Sequence, residues 1–307
     1  MKRVIITGAT GAVGTALIKA CIEKQIEVLV FVRADSKRNS NIPKHPFVKT
    51  MNCSLEELVE VENPEETCYD VFYHLAWAGT TGEARNDMYL QNMNVKYALD
   101  AVGAAKRFGC HTFVGIGSQA EYGRVEGLLH YDTPAKPEMG YGIGKLCAGQ
   151  MTREYAHQLG LKHEWVRILS IYGPYDGMQS MVMSTIQRLL NGEVPRFTKG
   201  EQMWDYLYSE DAADALVGIG ERGKDGSIYV LGSGQARPLS EYIEIIRDKV
   251  NPDMPIELGA IPYAKRQVMH LCADISNLKE DTGFHAKTSF EDGIEKILMW
   301  YKEEIQV

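Results

Sequence analysis

Tyr141 and Lys145 stand four residues apart in the segment YGIGK, and Ser118 lies 23 residues before the tyrosine. Residues at i and i+4 share a helix face, so this spacing predicts the Lys145 ammonium beneath the Tyr141 phenol. An isolated tyrosine has a pKa of about 10, too high for a base at neutral pH, and a nearby cation favours the phenolate. Two unit charges roughly 4 Å apart interact by about 4 kcal/mol at an effective dielectric near 20, about three pKa units before desolvation is subtracted. A shift of that size would bring the phenol into working range as an acid or base. Tyrosine and lysine at this spacing also cover helix surfaces without doing chemistry, so the rest of the chain decides.

Residues 7 to 14 read TGATGAVG, with Gly8, Gly11 and Gly14 between a short apolar run and a helical stretch. Glycine permits the tight turn and lets backbone N–H groups approach a pyrophosphate at the positive end of the helix. A strand before and a helix after are what a dinucleotide fingerprint requires. The end of the second strand selects the cofactor, because an acid holds a free ribose 2′-hydroxyl and an arginine a 2′-phosphate. Here Val28 to Val32 is followed by Arg33, then Ser36, Lys37 and Arg38, which favours NADP. Asp35, 21 residues beyond Gly14, is the competing ribose acid and would make the cofactor NAD.

These residues need elements to position them. The first half alternates apolar runs (Val4 to Thr7, Glu27 to Val32, Val71 to Leu75, Thr112 to Ile116, Glu164 to Leu169) with helical stretches near 12–24, 86–108 and 141–159. Alternating β and α elements predict a doubly wound parallel sheet with helices on both faces, and ligands at the carboxyl ends of its strands. The connection from Gln119 to Gly140 is long enough to be functional. Beyond Ile171 helices are expected at 181–190, 209–221, 239–249 and 291–301. The resulting division is a dinucleotide-binding domain at 1–170, to which 205–232 returns, and a smaller interleaved C-terminal lobe of 171–204 and 233–307.

The chain has 307 residues, 45% hydrophobic and 24% charged, enough for one large core. A net charge of -8 without a basic stripe argues against a nucleic-acid partner. No apolar run approaches membrane length, and Met1-Lys2-Arg3 leads straight into a strand, so no membrane partner, no signal peptide and a cytoplasmic location are expected. Six cysteines without a C-x-x-C pair indicate neither a zinc site nor a disulfide framework.

TGATGAVG at the N-terminus, His74-Leu75-Ala76 ending the fourth strand, Asn94 in the next helix, Ser118 after the fifth strand and YGIGK together resemble the extended short-chain dehydrogenase/reductases. WDYLYSEDAADAL and Ala273-Asp274 extend the likeness to the epimerase/dehydratase branch. The resemblance implies a Rossmann-type α/β fold with Tyr141 as acid/base, Lys145 binding the nicotinamide ribose and lowering the tyrosine pKa, and Ser118 hydrogen-bonded to the reacting sugar oxygen. It places Gly8, Gly11, Val13, Gly14, Ala76 and Asn94 at the cofactor with Arg33; Asn94 also reads as a buried, hydrogen-bonded amide, and His74 as a strand-end structural residue.

Two departures narrow the activity. Family 4,6-dehydratases carry Asp-Glu after the Ser or Thr, whereas Gln119-Ala120 follow Ser118 and neither does a carboxylate's proton work. Many family epimerases carry Arg-Asp where this chain has Trp204-Asp205, so a diphosphate donor is replaced, with Arg196, Lys199, Lys265 or Arg266 as candidate substitutes. The expected activity is NAD(P)-dependent oxidoreduction at carbon 4 of a nucleotide-linked hexose, as a 4-ketoreductase or 4-epimerase. A reductase of a non-sugar carbonyl and a non-catalytic dinucleotide sensor are the alternatives. A homodimer through the helices near 86–108 and 141–159 is also implied by the resemblance.

Overall fold

The computed structural model describes residues 1–304. Its centre is a parallel sheet of seven strands: β1 (Arg3–Thr7), β2 (Glu27–Val32), β3 (Val48–Asn52), β4 (Val71–His74), β5 (Thr112–Ser118), β6 (Lys162–Ile168) and, late in the chain, β10 (Ile228–Leu231). The spatial order is β3-β2-β1-β4-β5-β6-β10, the Rossmann-type doubly wound arrangement. The direction of winding reverses between β1 and β4, whose registers pair Thr7 with His74, and a crevice opens at their carboxyl ends.

Strands covered on both faces read as unbroken apolar runs, and successive side chains go to opposite sides. Val4 and Ile6 pack with helix α1 (Ala12–Glu23) and helix α5 (Ser209–Arg222), while Ile5 joins the core beneath α2 (Met88–Arg107) and α3 (Gly140–Gln158). The rest of the chain forms α4 (Met181–Leu190), α6 (Leu239–Val250), α7 (Ser276–Thr282) and α8 (Phe290–Glu304). Two short pairs complete it, β7 (Ser170–Tyr172) with β9 (Tyr206–Tyr208) and β8 (Met203–Trp204) with β11 (Arg237–Pro238). Tyr172, Tyr206, Tyr242 and Phe290 centre a second core between α4, α6 and α8, with Phe290 4.8 Å from Tyr172 and 4.6 Å from Tyr242. Asp205, fully buried, ties this region to the sheet by accepting from Ser233 N at 2.7 Å, Gly234 N at 3.1 Å and Ala273 N at 3.0 Å.

The long connection after β5 is fastened down. Leu129 N donates to Cys272 O at 2.8 Å, Asp274 N donates to Leu129 O at 2.9 Å, and the Tyr122 hydroxyl donates to His130 O at 2.7 Å. β5 runs two residues past the expected Ile116, which makes Ser118 the last strand residue and fixes its direction. β3 and α7 carry no clear apolar pattern in sequence: VKTMN is a half-exposed edge strand, and SNLKEDT buries only Leu278 and Thr282.

Glu164 on β6 is buried with Oε2 unpartnered, and burial pushes its carboxyl up to about 8 from an ordinary 4.5. Between those values the folded protein holds a proton that the unfolded chain releases, so this residue's contribution to stability falls as pH rises from 4.5 through 8. Glu164→Gln is therefore expected to gain melting temperature over the parent progressively between pH 5 and pH 8. Thermal unfolding across that series checks it, and a difference that does not change with pH would contradict it.

Candidate active site

The glycine turn fits a dinucleotide through three different uses of glycine. Gly8 has φ +70°, and a Cβ there would meet Ala76 N at 2.5 Å, so it lets β1 and the segment after β4 come together. A Cβ on Gly14 would meet Ala9 Cα at 2.4 Å, which seats α1 on the turn. Gly11, at the N-cap of α1, faces open space with only Arg38 Nη2 within reach at 3.7 Å. A bound anion would approach here, on backbone N–H groups at the positive end of the helix.

A cavity of about 500 Å³ runs from this turn past Arg33, Ser36 and Arg38 to Cys53, Leu55 and Ala76–Ala78. A second, of about 570 Å³, shares Gly8, Gly11 and Leu75 with it and extends over Val13, Ile116, Ser170, Asp176 and Trp204. Arg33 and Arg38 line the first cavity and Asp35, exposed nearby in sequence, does not. Arg38 also bridges Thr10 O at 3.2 Å and Tyr175 O at 3.3 Å.

Ser118 ends β5, and α3 brings Tyr141 and Lys145 to it from its first turns. The glycines of YGIGK permit this approach: a Cβ on Gly142 would strike Ala120 O at 2.3 Å, and one on Gly144 would press on Gln91 and Trp77 at 3.3–3.4 Å. Tyr141 is almost fully buried, and the Ser118 side chain near it favours its ionised form. Lys145 is fully enclosed and its Nζ donates to Ile116 O at 2.6 Å.

The electrostatics correct the expectation that Lys145 lowers the Tyr141 pKa. Burial raises the phenol above its ordinary value of 10.0, opposed by Ser118 and then by Arg85. Burial also lowers Lys145 to about 7, opposed by Glu121. The lysine nitrogen sits 3.9 Å from the centre of the Trp77 ring and 5.9 Å from that of Tyr141. Shared helix face brings the two side chains near each other, but Trp77 and the Ile116 carbonyl hold the amine.

Asn94 is buried and spends its amide on Ala78, accepting from Ala78 N and donating to Ala78 O, both at 2.9 Å. Ala78, and not Asn94, lines the cavity. His74 is buried against Thr7, 2.9 Å from Thr7 Oγ1, and burial lowers it to about 3, which keeps it neutral. Trp204 Nε1 donates to Ser170 Oγ at 2.8 Å. Of the candidate cations for a diphosphate, Arg196 pairs with Glu257 at 3.0 Å and Arg266 donates to Glu138 O at 3.3 Å. Among the described residues, no lysine or arginine lines the second cavity.

Sequence reasoning missed four residues of this site. Arg85 places its guanidinium carbon 4.2 Å from the Tyr141 ring centre, and Trp77 meets that ring edge-on at 6.3 Å. Glu121, with no exposed surface, accepts from Ser118 N at 2.8 Å, Trp165 Nε1 at 3.1 Å and Arg167 Nε at 2.7 Å. The pattern Ser118-x-x-Glu121 is a capping box visible in sequence; Arg85, Trp77 and Arg167 carried no such signal.

A sequence model for the NAD dependent epimerase/dehydratase family matches residues 4–232. The chain is 22% identical to a putative UDP-glucose 4-epimerase of Methanocaldococcus jannaschii, over 97% of this chain and 98% of that one. Its fold superposes with a TM-score of 0.88 on a UDP-N-acetylglucosamine 4-epimerase from Methanobrevibacter ruminantium M1, at 22% identity over 99% of both chains. A UDP-glucuronic acid 4-epimerase from Bacillus cereus, solved with UDP-glucuronic acid and NAD, gives a TM-score of 0.84 at 20% identity over 98% of this chain and 99% of that one.

Proposed function

The chain belongs to the NAD dependent epimerase/dehydratase family, and from that premise we propose that it is an NAD(P)-dependent oxidoreductase acting at carbon 4 of a nucleotide-linked hexose. The observation that carries this reading is that Trp77, which lines the cavity opening on Gly11, meets the Tyr141 ring edge-on and lies 3.9 Å from the Lys145 nitrogen, with Lys145 bound to Ile116 O near the carboxyl end of β5. When bound, the nicotinamide supplies or accepts a hydride. Tyr141 gives its phenolic proton to the oxygen of a carbonyl being reduced, or takes the hydroxyl proton in the reverse direction. Ser118 donates a hydrogen bond to that oxygen. Lys145, which donates to Ile116 O, would hold the cofactor ribose, and backbone N–H groups at Gly11 and Val13 would hold the pyrophosphate.

Arg33 and Arg38 line the adenosine end and Asp35 does not, which supports NADP and a 4-ketoreductase that exchanges its cofactor. NAD, held for repeated use, is the cofactor of the 4-epimerase form of the same proposal. Dehydration fits less well: Gln119 and Ala120 follow Ser118, and the nearest carboxylate, Glu121, is committed to Ser118 N, Trp165 and Arg167. The region around α4, α6 and α8 serves as the substrate lobe, and residues 1–170 with 205–232 as the cofactor domain. The Trp204–Ser170 contact and the absence of lining cations in the second cavity, among the described residues, favour a reductase of a non-sugar carbonyl as the second reading. The outer faces of α2 and α3, where Leu99, Gly103, Met151 and Tyr155 line a groove, serve as the homodimer surface.

Native mass spectrometry of the purified protein tests the cofactor and the assembly together. Expected is a dimer that arrives empty and takes up NADPH in preference to NADH. Retained NAD would replace the ketoreductase with the epimerase, a monomer at micromolar concentration would remove the dimer, and failure to take up any dinucleotide would remove the whole reading.

A further inference from the structure

One side chain joins the walls of the two cavities. Arg38 stands exposed on the short 3-10 helix Lys37–Asn41 and lines the first cavity beside the glycine turn. Its Nη2 donates to two carbonyls from different parts of the molecule. One is Thr10 O in the glycine turn, at 3.2 Å, and the other is Tyr175 O in the segment 173–180 between β7 and α4, at 3.3 Å. Asn41 Nδ2 also donates to Thr10 O, at 3.0 Å, so this short helix is fastened to the turn independently of Arg38. The bond to Tyr175 is the one that crosses between the regions, and Asp176 and Ser180 of the same segment line the second cavity. We propose that Arg38 is a positioning residue that ties this wall of the second cavity to the glycine turn, so that a dinucleotide in the first cavity steadies the segment bounding the second. The proposal rests on reading the first cavity as the dinucleotide site.

The direction of the effect follows from where the anion would lie. Arg38 Nη2 is 3.7 Å from the position a Cβ on Gly11 would take, on the open side of the turn where helix-end N–H groups receive a pyrophosphate. Both present bonds use that one nitrogen, and a guanidinium has five N–H donors in a fixed fork. The fork can therefore meet a phosphate oxygen without leaving Tyr175. A phosphate holds it more firmly than carbonyls do, because both partners are then charged. An exposed arginine loses rotamer freedom when the phosphate orders it, and the segment it already touches then costs less to order. Tyr175 depends on such support. It sits at φ +62°, a left-handed conformation uncommon for a residue with a side chain, and Trp300 of α8 braces its ring at 5.0 Å while Arg38 holds its carbonyl.

Hydrogen exchange of the amides in 173–180, read by mass spectrometry with and without saturating dinucleotide (NADPH, or NADH where the parent prefers it), tests this. In the parent, saturation is expected to slow exchange there by about fivefold or more, the lower end of typical coupling between sites. Arg38→Gln at its own saturation should lose that slowing. Arg33→Gln, which removes the other arginine of the cavity, should weaken uptake yet keep the slowing once saturated. Unchanged or faster exchange in the saturated parent, or parental slowing in saturated Arg38→Gln, would overturn the proposal. Slowing lost equally in Arg33→Gln would do so too, by tracing the effect to the charge of the cavity instead of the Tyr175 bond. For an Arg38→Gln protein that binds no dinucleotide at any concentration, the ligand-free comparison decides: faster exchange than the parent at 173–180 upholds the tie, and equal exchange overturns it. Uptake is followed separately by nicotinamide fluorescence. A parent that takes up no dinucleotide fails the functional reading and this proposal with it, whereas one that binds without slowing exchange fails this proposal alone.

Discussion

Replacing Tyr141 with phenylalanine is expected to slow carbonyl reduction about 10²- to 10⁴-fold, the usual weight of one positioned acid or base. Arg85 lies over the ring at 4.2 Å and Trp77 meets it edge-on at 6.3 Å, and phenylalanine keeps both contacts. Only the hydroxyl facing Ser118 is lost, so melting temperature and dinucleotide affinity should stay near those of the parent. Burial holds the phenol above its ordinary value, which leaves it protonated at neutral pH and ready to donate. Reduction should therefore run at a level rate through neutrality and fall as pH approaches ionisation of the phenol, while oxidation should rise over the same interval. Stopped-flow absorbance of the dinucleotide, with a nucleotide-linked 4-keto hexose that the parent turns over, reads both effects. A Tyr141→Phe protein that reduces it at the parental rate would remove the tyrosine from the mechanism.

What made this residue visible in the sequence was local. An i, i+4 pair, a glycine turn between strand and helix, and unbroken apolar runs are all short-range signals, and they located the sheet, its main helices and the pair Tyr141 and Lys145, whereas the role of Ser118 came from the family resemblance. The parts that escaped depend on distance along the chain. Arg85 reaches Tyr141 from a segment that spacing assigns to the approach to α2, and nothing in its neighbours marks it. Trp77 takes Lys145 away from the phenol, reversing an argument that was sound for two side chains in isolation. β3 escaped because an edge strand with three of its five residues exposed has no apolar run to show. Its register with β2 nevertheless places Cys53 and Leu55 at the wall of the dinucleotide cavity.

The same limit applies to what holds Ser118 in place. Its amide is fixed by Glu121 from three residues away, a local pattern, but Glu121 is in turn held by Trp165 and Arg167 on the neighbouring strand. That strand pairs Ser118 with Ile168 and Gly117 with Arg167, so strand register sets the end of β5 against its own counter-ion. Gly115 and Gly117 complete the arrangement, since a Cβ at either would strike the Trp165 ring, at 2.4 Å and 2.3 Å respectively. The serine is thus positioned by a buried ionic group that does not line either cavity.

Arg167→Met is accordingly expected to cost about 3–5 kcal/mol of stability, because it strands the Glu121 carboxylate in the interior without the guanidinium paired to it. The pair is closed off from water, with side-chain exposures of 5% and 0%, and its Nε–Oε2 distance is 2.7 Å. The double variant Glu121→Leu, Arg167→Met removes both charges and should recover much of that loss, since an apolar pair of similar volume pays no desolvation cost. Urea unfolding with an unchanged slope separates these from a change in the unfolded state. A single variant within about 1 kcal/mol of the parent would show that this buried pair is worth no more than an exposed one. Activity then distinguishes the two roles of Glu121. In the double variant stability returns but the Ser118 amide has lost its acceptor, so turnover should stay low while Tyr141 keeps its alkaline transition. A double variant restored in both stability and turnover would mean that the strand alone, and not the buried carboxylate, places Ser118.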